Sequence, residues 1–232
     1  MEVNYYDCIE FPAREQREQY KQSYFDAKNL RLEFNSIFEQ PTNSQNLYKS
    51  YRLLLFQDKI MDFNNIVSYF DLAVLRLAHY YARLVQCNKA EFIVYQTLFR
   101  QAYRNIGCEV FVYEEKIKDL LRFVYSMNKK STKSNRKFFK SLKQKCQGTS
   151  YGKKFYEFLQ KDYRADENVK VVRKIRNDEV HNSTNLLKDY GNYNAEYNHK
   201  IYETVRACLH SLCELRKSFD DFLVLSCQDY LD

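Results

Sequence analysis

From Ile201 to Phe222 the apolar residues of this chain fall four and three positions apart in strict alternation: Ile201, Val205, Cys208, Leu212, Leu215, Phe219 and Phe222. A period near 3.5 gathers all of them onto one narrow stripe of an α-helix, whereas a strand would scatter them over both faces. Such a seam suits packing along a partner helix, either in the same bundle or in another subunit. Weaker stripes with the same period run through most of the chain. Tyr20, Tyr24, Ala27, Leu30, Phe34 and Ile37 predict a first helix, with Pro12 at its N1 position and Pro41 closing the region where it ends. A helical stretch over about residues 45–58 leads into a long one bearing Ile60, Phe63, Val67, Phe70, Val74, Leu77, Tyr81 and Leu84. Phe92, Tyr95, Leu98, Phe99 and Ala102 mark another helix, which Gly107 is placed to cap, and residues 109–127 continue the pattern.

The connections point the same way. Only 4 Gly and 2 Pro occur in 232 residues, too few for the many tight turns of an all-β fold. With 45% hydrophobic and 16% aromatic residues the chain can bury a substantial core. The expected fold is all-α, a helical bundle with long antiparallel helices. It divides into an N-terminal helical part, residues 1–107, and a second helical part, residues 108–232, forming one compact unit.

Several function classes are set aside by composition. The N-terminal MEVNYYDCIE lacks a basic n-region and an apolar h-region, so no signal peptide is expected, and no apolar run approaches the roughly 18 residues of a membrane span. Seven cysteines, an odd number without a CxxC or a Cys/His cluster, suggest packed, reduced thiols in a cytoplasmic protein. No metal or cofactor is called for, and no membrane partner.

Charge is unevenly distributed. Leu120 to Tyr156 contains no acidic residue and eleven basic ones, so 26 of the 37 Lys and Arg remain elsewhere, against 30 Asp and Glu. The whole positive excess lies in this one segment. NKKSTKSN, residues 128–135, makes a polar break, and a basic amphipathic helix follows with Phe138, Phe139 and Leu142 on its apolar side. Lys129, Lys130, Lys133, Arg136, Lys137, Lys140 and Lys143 are the candidate RNA-binding residues, because clustered cations attract a polyanionic backbone. A merely solvated, solubilising helix face is the alternative. Gly148 and Gly152 bracket a turn before a short helix with Phe155, Phe158 and Leu159.

The stretch RKIRNDEVHN, residues 173–182, concentrates chemistry. A guanidinium binds phosphate oxygens bidentately and stays charged, and an imidazole exchanges a proton near neutral pH. An amide between them can orient either the phosphate or the reacting hydroxyl. The candidate catalytic residues are Arg176, His181 and Asn177. On a continuous helix Arg176 and His181 lie some 140° apart with a rise of roughly 7.5 Å, so they do not share a face. If they cooperate, either the helix ends near His181 or a second copy of the motif completes the site. A polar helix end, with Asp178 and Glu179 pairing to Arg173 or Lys174, is the non-functional alternative.

RNDEVH, residues 176–181, on the second half of an α-helical chain, resembles the RNxxxH motif of the HEPN superfamily. No other histidine has an arginine five to seven residues before it, and residues 1–107 carry no motif of that family. The resemblance implies a HEPN-like helical second half, a homodimer, and a metal-independent endoribonuclease in which Arg176, Asn177 and His181 assist attack of the RNA 2′-hydroxyl on the adjacent phosphate. Many members act in toxin–antitoxin or phage-defence systems, which implies an antitoxin protein as a partner. Others only bind RNA or a nucleotide. A helical protein-interaction domain is the remaining alternative.

Overall fold

The computed structural model describes residues 11–33, 47–181 and 195–231. Among them every regular element is helical: α1 (Arg14–Ser23), a 3₁₀ turn (Ala27–Leu30), α2 (Leu47–Gln86), α3 (Lys89–Val124), α4 (Asn135–Cys146), α5 (Ser150–Phe158), a π-helical turn (Leu159–Tyr163), α6 (Glu167–His181) and α7 (Ala195–Leu231). The protein is an all-α helical bundle.

Three helices dominate. α2 has 40 residues, α3 has 36 and α7 has 37, which at 1.5 Å per residue makes each about 55–60 Å long. The expected boundary near residue 58 is absent, and α2 runs through it because Phe56, Ile60 and Phe63 keep one buried register. Gly107 does not cap a helix either. α3 continues through it, since Ala102, Ile106, Val110 and Tyr113 hold the buried stripe across the glycine and outweigh its cost of about 1 kcal/mol relative to alanine.

The first helix is shorter than its stripe predicted. Ala13, not Pro12, stands before the first helical residue, and α1 stops at Ser23. Asp26 then takes over, its Oδ1 accepting from the Lys28 backbone N–H at 2.9 Å, a side-chain turn that competes with helix. Tyr24, Phe25, Ala27, Leu30 and Leu32 are all buried while Lys28, Asn29 and Arg31 among them are exposed, a burial pattern that no single face of a regular helix provides. Phe34, Ile37 and Pro41 lie outside the described residues.

The chain forms two compact units that interleave along the sequence and do not divide at residue 107. The first draws on residues up to Asn29, on Val67–Val112 and on Glu167–His210; the second draws on Leu30–Ile66, Tyr113–Asp166 and the chain from Ser211. The first unit is built around tyrosines. Tyr202 stacks on Tyr24 and on Tyr81, with ring centroids 4.1 and 4.0 Å apart, and Tyr24 Oη donates to the Tyr202 carbonyl at 3.1 Å. The second unit is built around phenylalanines: Phe155 packs on Phe219 and Phe222, and Phe56 stacks on Phe123. Arg216 accompanies it, pairing with the buried Asp220 and with the exposed Glu33.

The seam of α7 is consumed inside the chain. The seven seam residues from Ile201 to Phe222 are each at most 7% exposed, so of its two possible partners the one used is the bundle itself. Leu209 and Leu223 are buried as well, which widens the contact beyond a coiled-coil stripe. No helix among the described residues is long and apolar enough to cross a membrane.

Candidate functional site

The seven cations singled out from the sequence are all exposed. Ser134 caps α4, its hydroxyl accepting from the Lys137 backbone N–H at 3.4 Å. Phe138, Leu142 and Cys146 are buried at four-residue spacing. At 100° per residue, Arg136, Lys137, Lys140 and Lys143 occupy an arc of roughly 120° on the opposite side. The chain therefore buries one face of α4 and leaves the other as an open row of charge.

The turn before α4 is folded around Asn128. Its Oδ1 accepts from the backbone N–H of Lys130 at 2.8 Å, and its carbonyl accepts from the Thr132 hydroxyl at 2.8 Å. That turn holds Lys129, Lys130 and Lys133 outward. Lys129 reaches Asp119 at 3.4 Å, across exposed surface where such a pair contributes little. Arg122, the first of the eleven cations of the basic segment, is buried and structural. It pairs with Asp119 at 2.7 Å, donates to Thr132 through both Nε and Nη2 at 3.2 Å, and lies over the Phe138 ring.

The basic row continues past α4. Lys143, Lys153 and Lys161 line a shallow groove of about 350 Å³ together with Tyr156. Gly152 makes this close junction possible. It lies inside α5, not in the turn before it, and Thr149 Oγ1 accepts from its N–H at 3.1 Å. A Cβ there would meet Thr149 Oγ1 at 2.7 Å, the Cys146 carbonyl at 2.8 Å and Tyr125 Oη at 3.0 Å. The arginine that sequence reasoning passed over here is Arg164, whose guanidinium lies 3.9 Å from the Phe139 ring centroid. It closes the half-buried ring of α4 from the far side of the π-helical turn, a pairing that no local spacing announces.

Arg176, Asn177 and His181 are on α6, whose backbone is helical from Glu167 through His181. Val169 and Val172 fix the register by being fully buried. The side chains of residues 176–181, and residues 182–194 with Tyr190 and Tyr193, lie outside the described residues. What the backbone does give is a helix through both positions, hence the separation of about 140° around the axis. Tyr197, at the start of α7, is 44% exposed.

α4 and α6 belong to different units, the basic row to the second and the RNDEVH helix to the first. Among the described residues no group of three or more His, Cys, Asp or Glu is arranged to hold a metal ion. Cys146 and Cys213 are buried, and burial pushes both thiols up, Cys213 to about 11. Neither is a poised nucleophile at neutral pH. Compared with protein families, with curated proteins and with solved structures, the chain gives no match.

Proposed function

We propose that this protein acts on RNA as a metal-independent endoribonuclease of HEPN type. Arg176 stabilises the phosphate as charge builds, His181 moves the proton, and Asn177 orients the reacting groups. The observation that supports the reading most is a residue pattern in a fitting setting: RNDEVH stands on a helix of an all-α chain that also exposes a row of seven cations. The cations supply affinity for a polyanion without sequence preference, and the motif supplies the chemistry.

Two RNDEVH segments in a homodimer would complete a site that one helix cannot, because the two key positions are about 140° apart on α6. The α7 seam gives no support to the dimer, since it is buried within one chain. Light scattering at micromolar concentration should then return about twice the chain mass of 28.1 kDa. A place in toxin–antitoxin or phage defence, with an antitoxin partner, follows only from the resemblance.

The test is cleavage of a single-stranded RNA in the presence of EDTA. Attack by the 2′-hydroxyl leaves a 2′,3′-cyclic phosphate and a 5′-hydroxyl, and a 2′-deoxy substitution at the cut site blocks it. RNA that is bound and never cut between pH 6 and 9 would replace this reading with a non-catalytic RNA-binding module. RNA that is neither bound nor cut would leave a helical interaction protein.

A further inference from the structure

A second site lies within the second unit, beside the turn that carries Lys129 at the near end of the basic row. Tyr51, Leu55 and Lys59 stand on successive turns of one face of α2, and Arg52 is beside them. They line a cleft of about 480 Å³ whose other wall is the end of α3 and the turn after it, through Phe123, Ser126 and Lys129. That volume falls within the range of about 300–1,000 Å³ typical of small-molecule sites.

The lining is aromatic and cationic at once. Tyr51 is 61% exposed and Leu55 36%, so the α2 wall presents an aromatic and an aliphatic side chain to solvent. Among the described lining residues Arg52, Lys59, Arg122 and Lys129 are the cations, and Asp119 is the one carboxylate. Asp119 is already engaged by Arg122 and Lys129, on one wall. Arg52 and Lys59 lie over the Phe123 ring, 5.6 and 5.5 Å from its centroid.

Arg52 is held by an unusual backbone. α3 ends in a Schellman turn, with Met127 N–H donating to the Arg122 carbonyl at 2.8 Å and Ser126 N–H to the Phe123 carbonyl at 3.2 Å. The left-handed position of that turn normally belongs to glycine, yet here it is Ser126, at φ 49°. The serine side chain explains the choice. Arg52 Nη2 donates to Ser126 Oγ at 2.7 Å and to the Phe123 carbonyl at 3.2 Å. A strained residue thus aims a guanidinium into the cleft, the arrangement expected where strain serves a site.

From this we infer that the cleft binds one nucleotide unit. The base lies on Tyr51 and Leu55, and the phosphate is taken by Arg52 and Lys59. A free mononucleotide and a single residue of an RNA strand present the same chemistry. The inference does not depend on cleavage at α6, because its readout is binding.

Titration calorimetry on the full chain decides it, with AMP, adenosine, inorganic phosphate and a six-residue oligoadenylate as probes. AMP or the oligomer binds saturably, and adenosine and phosphate alone each bind at least about tenfold more weakly. An oligomer about tenfold tighter than AMP assigns the cleft to RNA, and equal or tighter AMP assigns it to a free nucleotide. Tyr51→Ala weakens binding by about tenfold or more, the scale of one base–aromatic stack, and Tyr51→Phe stays within about twofold. Ser126→Gly is the sharper variant: it relieves the backbone, so the melting temperature holds or rises, while binding weakens with the loss of the Arg52 anchor. Absence of saturable binding of both AMP and the oligomer up to about 5 mM overturns the inference. So does binding that Tyr51→Ala and Ser126→Gly leave unchanged.

Discussion

α4 and α6 both carry several basic residues and use them differently. α4 is an amphipathic helix with one face buried and a row of lysines outside, and the spacing alone explains which residue goes where. Its chemistry is generic, because any cation at those positions attracts the same backbone phosphates. α6 is anchored by Val169 and Val172 and then crowds arginine, amide, acids and histidine into one short stretch. There the identity of each residue matters and its charge alone does not. On the proposed reading one region holds a polyanion and the other breaks a bond in it, and the two functions should therefore separate under mutation.

The largest effect should come from α6. Arg176→Ala should lower the cleavage rate of bound RNA by about a hundredfold or more, the scale for removing a positioned charge donor. Affinity should stay within about threefold, because the lysine row is intact. A fall in affinity with an unchanged rate would make Arg176 one more phosphate anchor and erase the distinction.

Replacing Lys137, Lys140 and Lys143 together with Gln should do the reverse. Three phosphate contacts at a single-strand slope of roughly 0.7 each predict that log affinity against log salt flattens by about two. The rate at saturating RNA should be unaltered. Unchanged affinity and an unchanged slope would reduce α4 to a solvated face.

The next effect is on stability and touches neither function. Gly152→Ala should destabilise the fold by about 1–2 kcal/mol, since overpacking costs about 1–3 kcal/mol and the better helix former recovers at most about 1. That is a drop of roughly 2–8 °C in melting temperature at this chain length. An unchanged melting temperature would mean that the Cys146 carbonyl and Thr149 yield easily, and that the α4–α5 junction is looser than its contacts imply.

How much of this was legible in the sequence depends on the range of the interaction. Periodicity located the helices because the side-chain repeat is local: the seven seam residues of α7 and Phe138 and Leu142 of α4 are buried as their spacing predicts, whereas Phe139 is only half-buried. Boundaries were missed where tertiary burial overrode local signals. Gly107 passes inside α3, and Tyr24 to Leu32 leave the helix to plug a core. The lysine row was readable, since exposure follows directly from the amphipathic pattern. The structural use of Arg122 was not, because Asp119 lies on its own helix but Thr132 and Phe138 come from beyond the turn. Nor was the cleft at Tyr51, whose two walls are some seventy residues apart in the chain. For α6 the motif was readable as residue types, and the helix under it was predicted.

The smallest effect belongs to a buried carboxylate in the second unit. Burial pushes Asp220 up to about 6 even though Arg216 sits beside it. Its folded value lies above its ordinary one, so its contribution to stability is fully present below about pH 4 and is lost as pH rises through about 6. The melting temperature of the wild type relative to Asp220→Asn should accordingly fall between pH 4 and pH 7. A difference that grows over that interval would contradict the sign.

The separation of holding from cutting is tested most directly by single-turnover cleavage with His181→Ala, at RNA concentrations that saturate both proteins and with EDTA present. Loss of the proton donor or acceptor should slow the step by about a hundredfold or more, with RNA still bound and circular dichroism unchanged. Cleavage at the wild-type rate by a folded, RNA-bound His181→Ala protein would show that RNDEVH is only the polar end of a helix.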